Sequence, residues 1–384
     1  MKRSTNRILT SHVGSLVRPP EIAAMFPDRP AGRPFDAREQ DLITRSVAAV
    51  VKQQADAGID IPSDGEFSKS GFAGYISDRL SGFEERGWDS QAFTRGRDRT
   101  RFAAAYAEME GGGLGVGQIP LVCAGPVSYI GRDLLRMDLD NLKAACQAAG
   151  VEEAFVPATA PGTIALQRPN EYYKSDDEYL YAIADAMAVE FKMVVEAGFL
   201  LQIDDPRMVT AYDSMDPPPS AAEYQKYAMH RVEALNHALK GLPEDRVRYH
   251  VCWGSWHGPH TTDIELADIV DVVLAINAGC YSVEAANPRH GHEYHVWESK
   301  KLPDGKILMP GVVAHVTNVV EHPELVADRL IQYAERVGRE NVIAGVDCGF
   351  AQGYGTARVH ESIQWEKLRM LSEGARLASQ RLWK

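Results

Sequence analysis

The chain has 384 residues, of which 45% are hydrophobic and 24% charged, a composition typical of a globular enzyme with an ample core and unlike that of a disordered chain. A formal net charge of -12 and the lack of a long basic run argue against a nucleic-acid partner. The N-terminus has no apolar signal segment, no apolar run approaches the roughly 18 residues that span a bilayer, and the five cysteines show no disulfide framework. We therefore expect a cytoplasmic protein without membrane contacts, and the sequence leaves a homo-oligomer open.

Short apolar runs that end in turn residues recur along the chain, and several are separated by segments with helical periodicity. The predicted strands are Ile8 to Gly14, Ile59 to Gly65, Pro120 to Ala124, Phe199 to Asp204, Val247 to Cys252, Cys280 to Glu284, Ile307 to Val313 and Asn341 to Cys348. The predicted helices are Glu39 to Lys52, Asp176 to Glu196, Ala221 to Lys240, Asp263 to Ala278 and Pro323 to Val337. Eight strands with crossover helices predict an α/β fold, a (β/α)8 TIM barrel that fills residues 1–384 as a single catalytic domain.

Two segments do not fit this alternation. The run from Ala154 to Gly162 carries two prolines, which disfavour a central position in a sheet, so we expect it near the barrel mouth. Residues 78–118 are rich in Arg, Asp and Gly and cannot form a simple crossover helix. They predict an extra hairpin or lid.

Four potential metal ligands lie at the ends of three predicted strands. His250 and Cys252 are two residues apart, so both project to the same side of an extended strand, about 6 to 7 Å apart. Glu284 and Cys348 end two other runs. Because the carboxyl ends of barrel strands converge on one mouth, we expect the four side chains to meet there. Two thiolates, one imidazole and one carboxylate favour Zn²⁺.

An ordered set of motifs spans almost the whole chain and resembles one known superfamily. The motifs are Val13-Gly-Ser15, Asp64-Gly-Glu66, Ala124-Gly-Pro-Val127, Gln202-Ile-Asp-Asp-Pro206, His250-Val-Cys252, Glu284 and Asp347-Cys-Gly349. They resemble the catalytic barrel of cobalamin-independent methionine synthase. The length resembles the short, single-barrel branch of that superfamily, which also contains epoxyalkane:coenzyme M transferases.

The resemblance implies a zinc-dependent methyltransferase of methionine biosynthesis, in which a zinc-bound thiol such as homocysteine takes a methyl group from a donor such as methyltetrahydrofolate. It implies zinc ligation by His250, Cys252, Glu284 and Cys348, with Glu284 as the labile, catalytic ligand. It further implies that Glu66 and Asp204 hold the amino group of homocysteine. The backbone of Val13, Gly14 and Ser15 would hold its carboxylate.

Three features depart from the full-length synthase. His315 follows a predicted strand but lies one residue short of the catalytic histidine of the synthase, and we retain it as a general-acid candidate. Trp253, directly after the His-x-Cys motif, is a candidate for stacking on the substrate. Arg289 is a candidate for pairing with a substrate carboxylate or sulfonate.

Other functions remain open at this stage. The first is thiol alkylation by an epoxide or another activated carbon, in which a histidine protonates the developing alkoxide. A zinc hydrolase or lyase on the same barrel is the second, although two thiolates make bound water less acidic than three histidines would. A non-catalytic zinc protein is the third, but structural sites are usually built from tight Cys-x-x-Cys knuckles, which this chain lacks.

Overall fold

Strands and helices alternate along the computed structural model, which describes residues 1–86, 96–109 and 121–384. The strands are β1 (Leu9–Thr10), β2 (Phe83–Glu85), β3 (Leu121–Cys123), β4 (Phe155–Thr159), β5 (Leu200–Asp204), β6 (Val247–Val251), β7 (Cys280–Glu284), β8 (Ile307–Val313) and β9 (Ile343–Val346). The helices are α1 (Pro20–Ala23), α2 (Ala37–Asp56), α3 (Ile76–Arg79), α4 (Arg97–Arg101), α5 (Ala103–Met109), α6 (Arg132–Ala149), α7 (Pro161–Gln167), α8 (Asp176–Glu196), α9 (Arg207–Asp213), α10 (Ala221–Ala238), α11 (Leu266–Leu274), α12 (Pro323–Val337) and α13 (Glu361–Leu382).

A curled parallel sheet forms the centre of the molecule, with its strands in the order β1-β9-β8-β7-β6-β5-β4. The segment 59–62 closes the gap between the two edge strands. On one side the amides of Asp60 and Ile61 both donate to Thr10 O at 3.1 Å, and on the other the amide of Phe155 donates to Pro62 O at 3.0 Å. Seven strands and this irregular eighth segment confirm the predicted (β/α)8 barrel.

Two predictions about individual strands were wrong: the run from Ala154 to Gly162 was expected outside the central sheet, and Pro120 to Ala124 was expected to be a barrel strand. Instead β4 belongs to the barrel, whereas β3 pairs antiparallel with β2 outside it. The one proline of β4, Pro157, is tolerated because of where its missing N–H group would point. The amides of Phe155 and Thr159 face away from β5, toward Pro62 O and the Tyr75 hydroxyl. The nitrogen of Pro157 also faces away from β5. At this position the pairing with segment 59–62 has ended, so the missing N–H group of Pro157 removes no hydrogen bond between strands.

The barrel interior is filled by side chains, as expected for a packed core and not a pore. Every barrel strand except β6, and the segment 59–62, contributes a buried apolar residue to this layer. These residues are Leu9, Ile61, Phe155, Leu200, Cys280, Ile307, Met309 and Ile343. Arg248 of β6 completes the layer, with its guanidinium 3.8 Å from the centre of the Phe155 ring. Functional side chains are therefore confined to the mouth at the carboxyl ends of the strands.

Local sequence signals explain why the outer helices begin where they do. Asp36 and Glu39 form a reciprocal capping box at the start of α2, and Ser220 and Glu223 do the same for α10. The predicted bounds of α8 and α12 agree with the structure, but α6 and α13 were not predicted. Among the described residues, no helix is long and apolar enough to cross a membrane.

The predicted insertion contributes β2, which pairs with β3 just beyond it, and the short helices α4 and α5. The glycine-rich part of it, residues 111–117, lies outside the described residues. α4 docks on the loops that follow β5 and β6, because Arg97 N donates to Asp213 Oδ1 at 3.0 Å and Thr261 N donates to Asp98 Oδ2 at 2.7 Å. The described part of the insertion therefore lies over one side of the barrel mouth.

Candidate metal centre and substrate pocket

Three of the four predicted metal ligands meet at the mouth. His250 is the penultimate residue of β6, Cys252 directly follows the strand and projects to the same side as His250, and Cys348 follows β9. The two sulfur atoms are 3.5 Å apart, too far for a disulfide, and one ring nitrogen of His250 and both sulfurs lie within 4.8 Å of one another. We call His250, Cys252 and Cys348 the metal-centre group. Its separations suit three ligands of one ion.

The imidazole of His250 is oriented by the neighbouring strand. Ser282, its register partner on β7, places Oγ 3.0 Å from Nδ1. The other nitrogen, Nε2, is buried and has no partner in the described structure. A buried polar atom without a partner destabilises the folded protein. In metal-binding histidines, one ring nitrogen usually hydrogen-bonds to the protein, and this contact orients the other nitrogen toward the metal.

The two thiols also favour a cation between them. The adjacent Cys348 sulfur and burial raise the pKa of the Cys252 thiol well above its usual value. Two sulfurs in contact cannot both ionise in a buried site unless a positive charge offsets their repulsion. The donor set therefore fits a thiolate-binding metal such as zinc.

Glu284 lies beside this group but is held by two other donors. Its Oε1 accepts the backbone amide of Trp253 at 2.9 Å, and its Oε2 accepts the side-chain amide of Asn287 at 3.0 Å. Burial raises the pKa of this carboxyl. Since Trp253 directly follows Cys252, the hydrogen bond ties the end of β7 to the loop that carries the thiol.

Asp347 is a further residue of the site, and the sequence analysis assigned it no role. Its Oδ1 accepts the amides of Ala285 and Ala286 at 2.8 and 2.9 Å. It thereby links the residue before Cys348 to the turn after Glu284. Burial and the charge of Glu284 raise the pKa of Asp347 well above its usual value. Its position within the Asp-Cys-Gly motif was the only signal available in the sequence.

Glu66 and Gly14 lie against each other on a second side of the mouth. A Cβ on Gly14 would lie 3.0 Å from Glu66 Oε1 and 2.8 Å from Pro157 Cγ, so only glycine fits, and its φ of +124° also favours glycine. Glu66 itself has a φ of 62°, which is uncommon for a residue with a side chain. Asp64 Oδ1 accepts its amide and Arg18 donates to its carbonyl, so neighbouring groups hold this strained conformation.

Asp204 completes this pocket, which we call the carboxylate pocket (Gly14, Glu66 and Asp204). Gln202 Nε2 donates to Asp204 Oδ1 at 2.7 Å and to Val13 O at 2.5 Å, so one amide links β5 to the first predicted site segment. Burial and the charge of Glu66 raise the pKa of Asp204 well above its usual value. A cationic group between the two carboxyls would offset both effects.

The first turn is also joined to the loop that carries Cys348. The hydroxyl of Ser15 donates to Ala351 O, and the amide of Phe350 donates to Ser15 O at 2.8 Å. A Cβ on Gly349 would lie 2.8 Å from the Cβ of Ser15. The structure therefore brings Val13, Gly14 and Ser15 to the same mouth as the metal-centre group.

His315 is buried past the end of β8, with Nε2 2.6 Å from the Ser255 hydroxyl. Its Nδ1 is buried without a partner in the described structure. Burial and the charge of Arg358 lower the pKa of His315 well below 6.5, so the ring is neutral at neutral pH. The sequence did not indicate the contact with Ser255, because the two residues lie on different loops.

Trp253 and Arg289, the other two predicted substrate contacts, lie in different environments. Trp253 is fully buried, stacks on His290 with ring centres 4.0 Å apart and donates Nε1–H to Ile264 O. Arg289 is exposed and lies 3.7 Å from Glu265, itself exposed. These are the surroundings of a packing residue and of a surface ion pair, and the substrate-binding roles stay predictions.

A second group of histidines lies next to Trp253. His260 Nδ1 and His290 Nε2 both contact Asp263 Oδ2, at 2.8 and 2.9 Å, while His290 Nδ1 contacts Glu293 Oε2 at 3.0 Å. The remaining nitrogen, His260 Nε2, faces Trp256 O at 3.2 Å. We call His260, Asp263, His290 and Glu293 the histidine–carboxylate network. Every ring nitrogen in it lies within hydrogen-bond distance of a protein oxygen, so protein groups alone satisfy both histidines of this network.

A parallel barrel with thiol and imidazole ligands gathered at its carboxyl-end mouth defines the chain as an α/β-barrel protein with a candidate catalytic metal centre. No family model matches the sequence. The chain is 29% identical to methionine synthase of Thermococcus kodakarensis over 347 residues, covering 88% of this chain and 86% of that protein. It is 26% identical to methionine synthase of Saccharolobus solfataricus over 381 residues, covering 97% and 95%.

Two solved structures share the fold. A B12-independent methionine synthase from a Shewanella species, in complex with selenomethionine, superposes with a TM-score of 0.72 at 20% identity and covers 98% of this chain and 99% of that one. A putative vitamin-B12-independent methionine synthase from Listeria monocytogenes gives a TM-score of 0.66 at 19% identity, with 97% and 98% covered. These matches confirm the resemblance to the cobalamin-independent methionine synthase superfamily and to its short, single-barrel branch.

Proposed function

We propose that the chain is a zinc-dependent methyltransferase that methylates the sulfur of homocysteine or a closely similar small thiol. One observation carries the proposal. The buried Nε2 of His250 has no hydrogen-bond partner among the described residues, and one ring nitrogen of His250 lies within 4.8 Å of both thiol sulfurs. Together with relatives named methionine synthase over most of the chain, this arrangement supports thiol activation at a metal.

His250, Cys252 and Cys348 would hold the zinc ion, with Glu284 as the fourth and exchangeable ligand. When bound, zinc lowers the pKa of a thiol ligand and keeps it as a reactive thiolate at neutral pH. Glu284 suits the exchangeable position because Trp253 N and Asn287 already hold its two oxygens. These two hydrogen bonds would remain when the Glu284 carboxylate is displaced from the ion, so the buried carboxylate would still have partners.

The carboxylate pocket would hold the acceptor. Glu66 and Asp204 are both buried, and the charge of Glu66 raises the pKa of Asp204, so the ammonium group of an amino-acid thiol would offset the repulsion between the two carboxyls. The backbone of Val13 to Ser15 would hold the carboxylate of the same molecule. Contacts to both the ammonium group and the carboxylate of the acceptor would fix the position of its sulfur relative to the alkyl carbon.

Methyl transfer breaks the bond between the methyl carbon and the donor atom and forms a carbon–sulfur bond, and the donor atom then needs a proton. His315, with Ser255 at Nε2, is the candidate that would deliver it. The ring is neutral at neutral pH, so it would act as a relay, taking up a proton at Nε2 through Ser255, which solvent replenishes, as it passes the proton of the other nitrogen to the donor atom. Methyltetrahydrofolate is the first donor to be tested.

The test begins with metal analysis of the chelator-washed protein, followed by zinc-edge X-ray absorption with and without homocysteine. We expect one zinc per chain with two sulfur ligands, rising to three when homocysteine is added. Transfer of a labelled methyl group to homocysteine would then identify the donor. A protein without zinc, or zinc whose sulfur count ignores every thiol tested, would contradict the proposal. Alkylation of the thiol only by an epoxide would move the assignment to that alternative.

A further inference from the structure

A half-buried arginine lies beside the metal-centre group without a carboxylate partner. The loop after β9 folds back on itself through an antiparallel bridge between Ala351 and Ala357, and the amide of Arg358 donates to Phe350 O at 2.9 Å. This fold brings residue 358 back to the mouth, next to the loop that carries Cys348.

One edge of the Arg358 guanidinium is fixed by the protein. Its Nε donates to Gln352 Oε1 at 2.7 Å, and the amide of Gln352 in turn donates to Gly349 O. Among the described residues, neither terminal nitrogen of Arg358 has a hydrogen-bond or ion-pair partner. The hydrogen bond at Nε therefore orients the guanidinium, while its two terminal nitrogens, which we call the fork, stay open.

The other buried arginines of the molecule differ in this respect. Arg79 pairs with Asp138 at 2.5 Å, Arg18 donates to three backbone carbonyls, and Arg248 donates to Ser11 Oγ and His12 O. Taking a guanidinium partly out of water without such partners is unfavourable. A fork left open at a barrel mouth is the arrangement that binds a planar or tetrahedral oxyanion in a bidentate manner.

The position of Arg358 along the chain places it near the metal-centre group. Its amide donates to Phe350 O at 2.9 Å, and Phe350 lies two residues after Cys348. The Arg358 guanidinium is also the charge with the largest effect on His315. Arg358 therefore belongs to the part of the mouth that carries Cys348 and His315.

We propose that Arg358 binds a carboxylate, sulfonate or phosphate group of the alkyl donor, with Gln352 as the residue that positions it. The binding of an anion by Arg358 does not depend on the proposed methyl transfer. Its assignment to the donor does rest on that function, because the carboxylate pocket is then occupied by the acceptor. The donor class is thus an alkylated molecule that carries an acidic group.

The test measures anion binding by calorimetry on metal-loaded protein, with methanesulfonate and inorganic phosphate as probes. Arg358→Gln removes the fork, Arg358→Lys keeps the charge without it, and Arg369→Gln on the exposed face of α13 is the matched control. We expect the Kd of the probes to rise at least about tenfold in Arg358→Gln, to rise less in Arg358→Lys and to stay unchanged in Arg369→Gln. Equal metal content in all variants excludes the metal as the source of the difference.

Two results would overturn the inference. Wild-type protein that binds neither probe, or Arg358→Gln that binds both as well as wild type does, would remove Arg358 as an anion site. Repeating the titration with saturating homocysteine separates the two possible sources of the anion. If the probes bind with unchanged affinity in the presence of homocysteine, Arg358 is assigned to the anionic group of the donor. If homocysteine competes with the probes, Arg358 is assigned to the carboxylate of the acceptor, and the donor assignment is rejected. The absence of metal would contradict the proposed function, while the probe titration would still report on Arg358.

Discussion

Two histidine-containing groups lie at the same mouth and differ in what their ring nitrogens face. In the metal-centre group, Nε2 of His250 is buried without a partner among the described residues, and one ring nitrogen of His250 lies within 4.8 Å of both thiol sulfurs. In the histidine–carboxylate network, both rings contact acceptors through both nitrogens. The comparison teaches that proximity of potential ligands does not define a metal site. What distinguishes the first group is a donor atom that the protein itself leaves unsatisfied.

The largest expected effect comes from removing one sulfur of the metal-centre group. Cys348→Ser should lose most of the bound metal and lower methyl transfer by at least about a thousandfold, since serine is a much weaker ligand for zinc at neutral pH. Metal analysis and a labelled-methyl assay measure both effects. Cys146→Ser, a buried cysteine on α6, is the control and should change neither. Retained zinc and activity in the Cys348 variant would reject this group as the metal centre.

Breaking the histidine–carboxylate network should act on stability. Asp263→Asn leaves two buried histidines without the carboxylate that both contact, so we expect the free energy of unfolding to fall by about 3 kcal/mol. Denaturant unfolding measures the change, and the bound metal should remain at the wild-type level. Asp268→Asn, an exposed residue on α11, is the matched control. Loss of metal from a folded Asp263 variant would show that the two groups are not independent.

Ser282 offers a finer test of the metal-centre group. Ser282→Ala removes the contact with His250 Nδ1, and we expect the metal affinity to fall about tenfold to a hundredfold while the fold is preserved. Competition with a chromogenic chelator gives the affinity. Tyr281→Phe alters the neighbouring residue, which faces the other side of β7 and donates to Ile276 O at 2.8 Å. That variant should bind metal as the wild type does, and an equal loss in both would argue against a specific role for Ser282.

A further test uses the pH dependence of stability. Although burial opposes it, the contacts with Asp263 and Glu293 raise the pKa of His290 to about 10. A histidine whose pKa is raised by folding stabilises the folded state. This contribution is fully present when the pH is below the pKa of the unfolded chain, about 6.5, and it is lost as the pH rises toward 10. Wild-type stability should therefore fall between pH 7 and 10, by up to about 1.4 kcal/mol per pH unit from this group.

The matching measurement is denaturant unfolding at several pH values in that range. His290→Gln should remove this part of the slope, whereas His292→Gln, at an exposed position nearby, should retain it. An unchanged slope in the His290 variant would mean that the network does not hold an extra proton in the folded state.

Much of the fold could be predicted from periodicity, but the pairing of particular strands could not. The bounds of α8 and α12 follow from local capping and apolar spacing, which act over a few residues. The exchange of β3 for β4 in the barrel depended on which side of β4 each amide faces, and a proline is harmless only on the unpaired side. That side is set by neighbours more than 40 residues away in the sequence. The single-domain assignment stays a prediction.

The sequence by itself determined the residue types of the metal-centre group and their positions at strand ends, because alternation along a strand and convergence at a barrel mouth are general properties. Only the tertiary structure decided which nitrogens and oxygens are already satisfied. It placed Ser282 on His250, Trp253 N and Asn287 on Glu284, and Ser255 on His315. It also left the fork of Arg358 open. Hydrogen-bond satisfaction depends on contacts between distant segments, and no local pattern in the sequence encodes them.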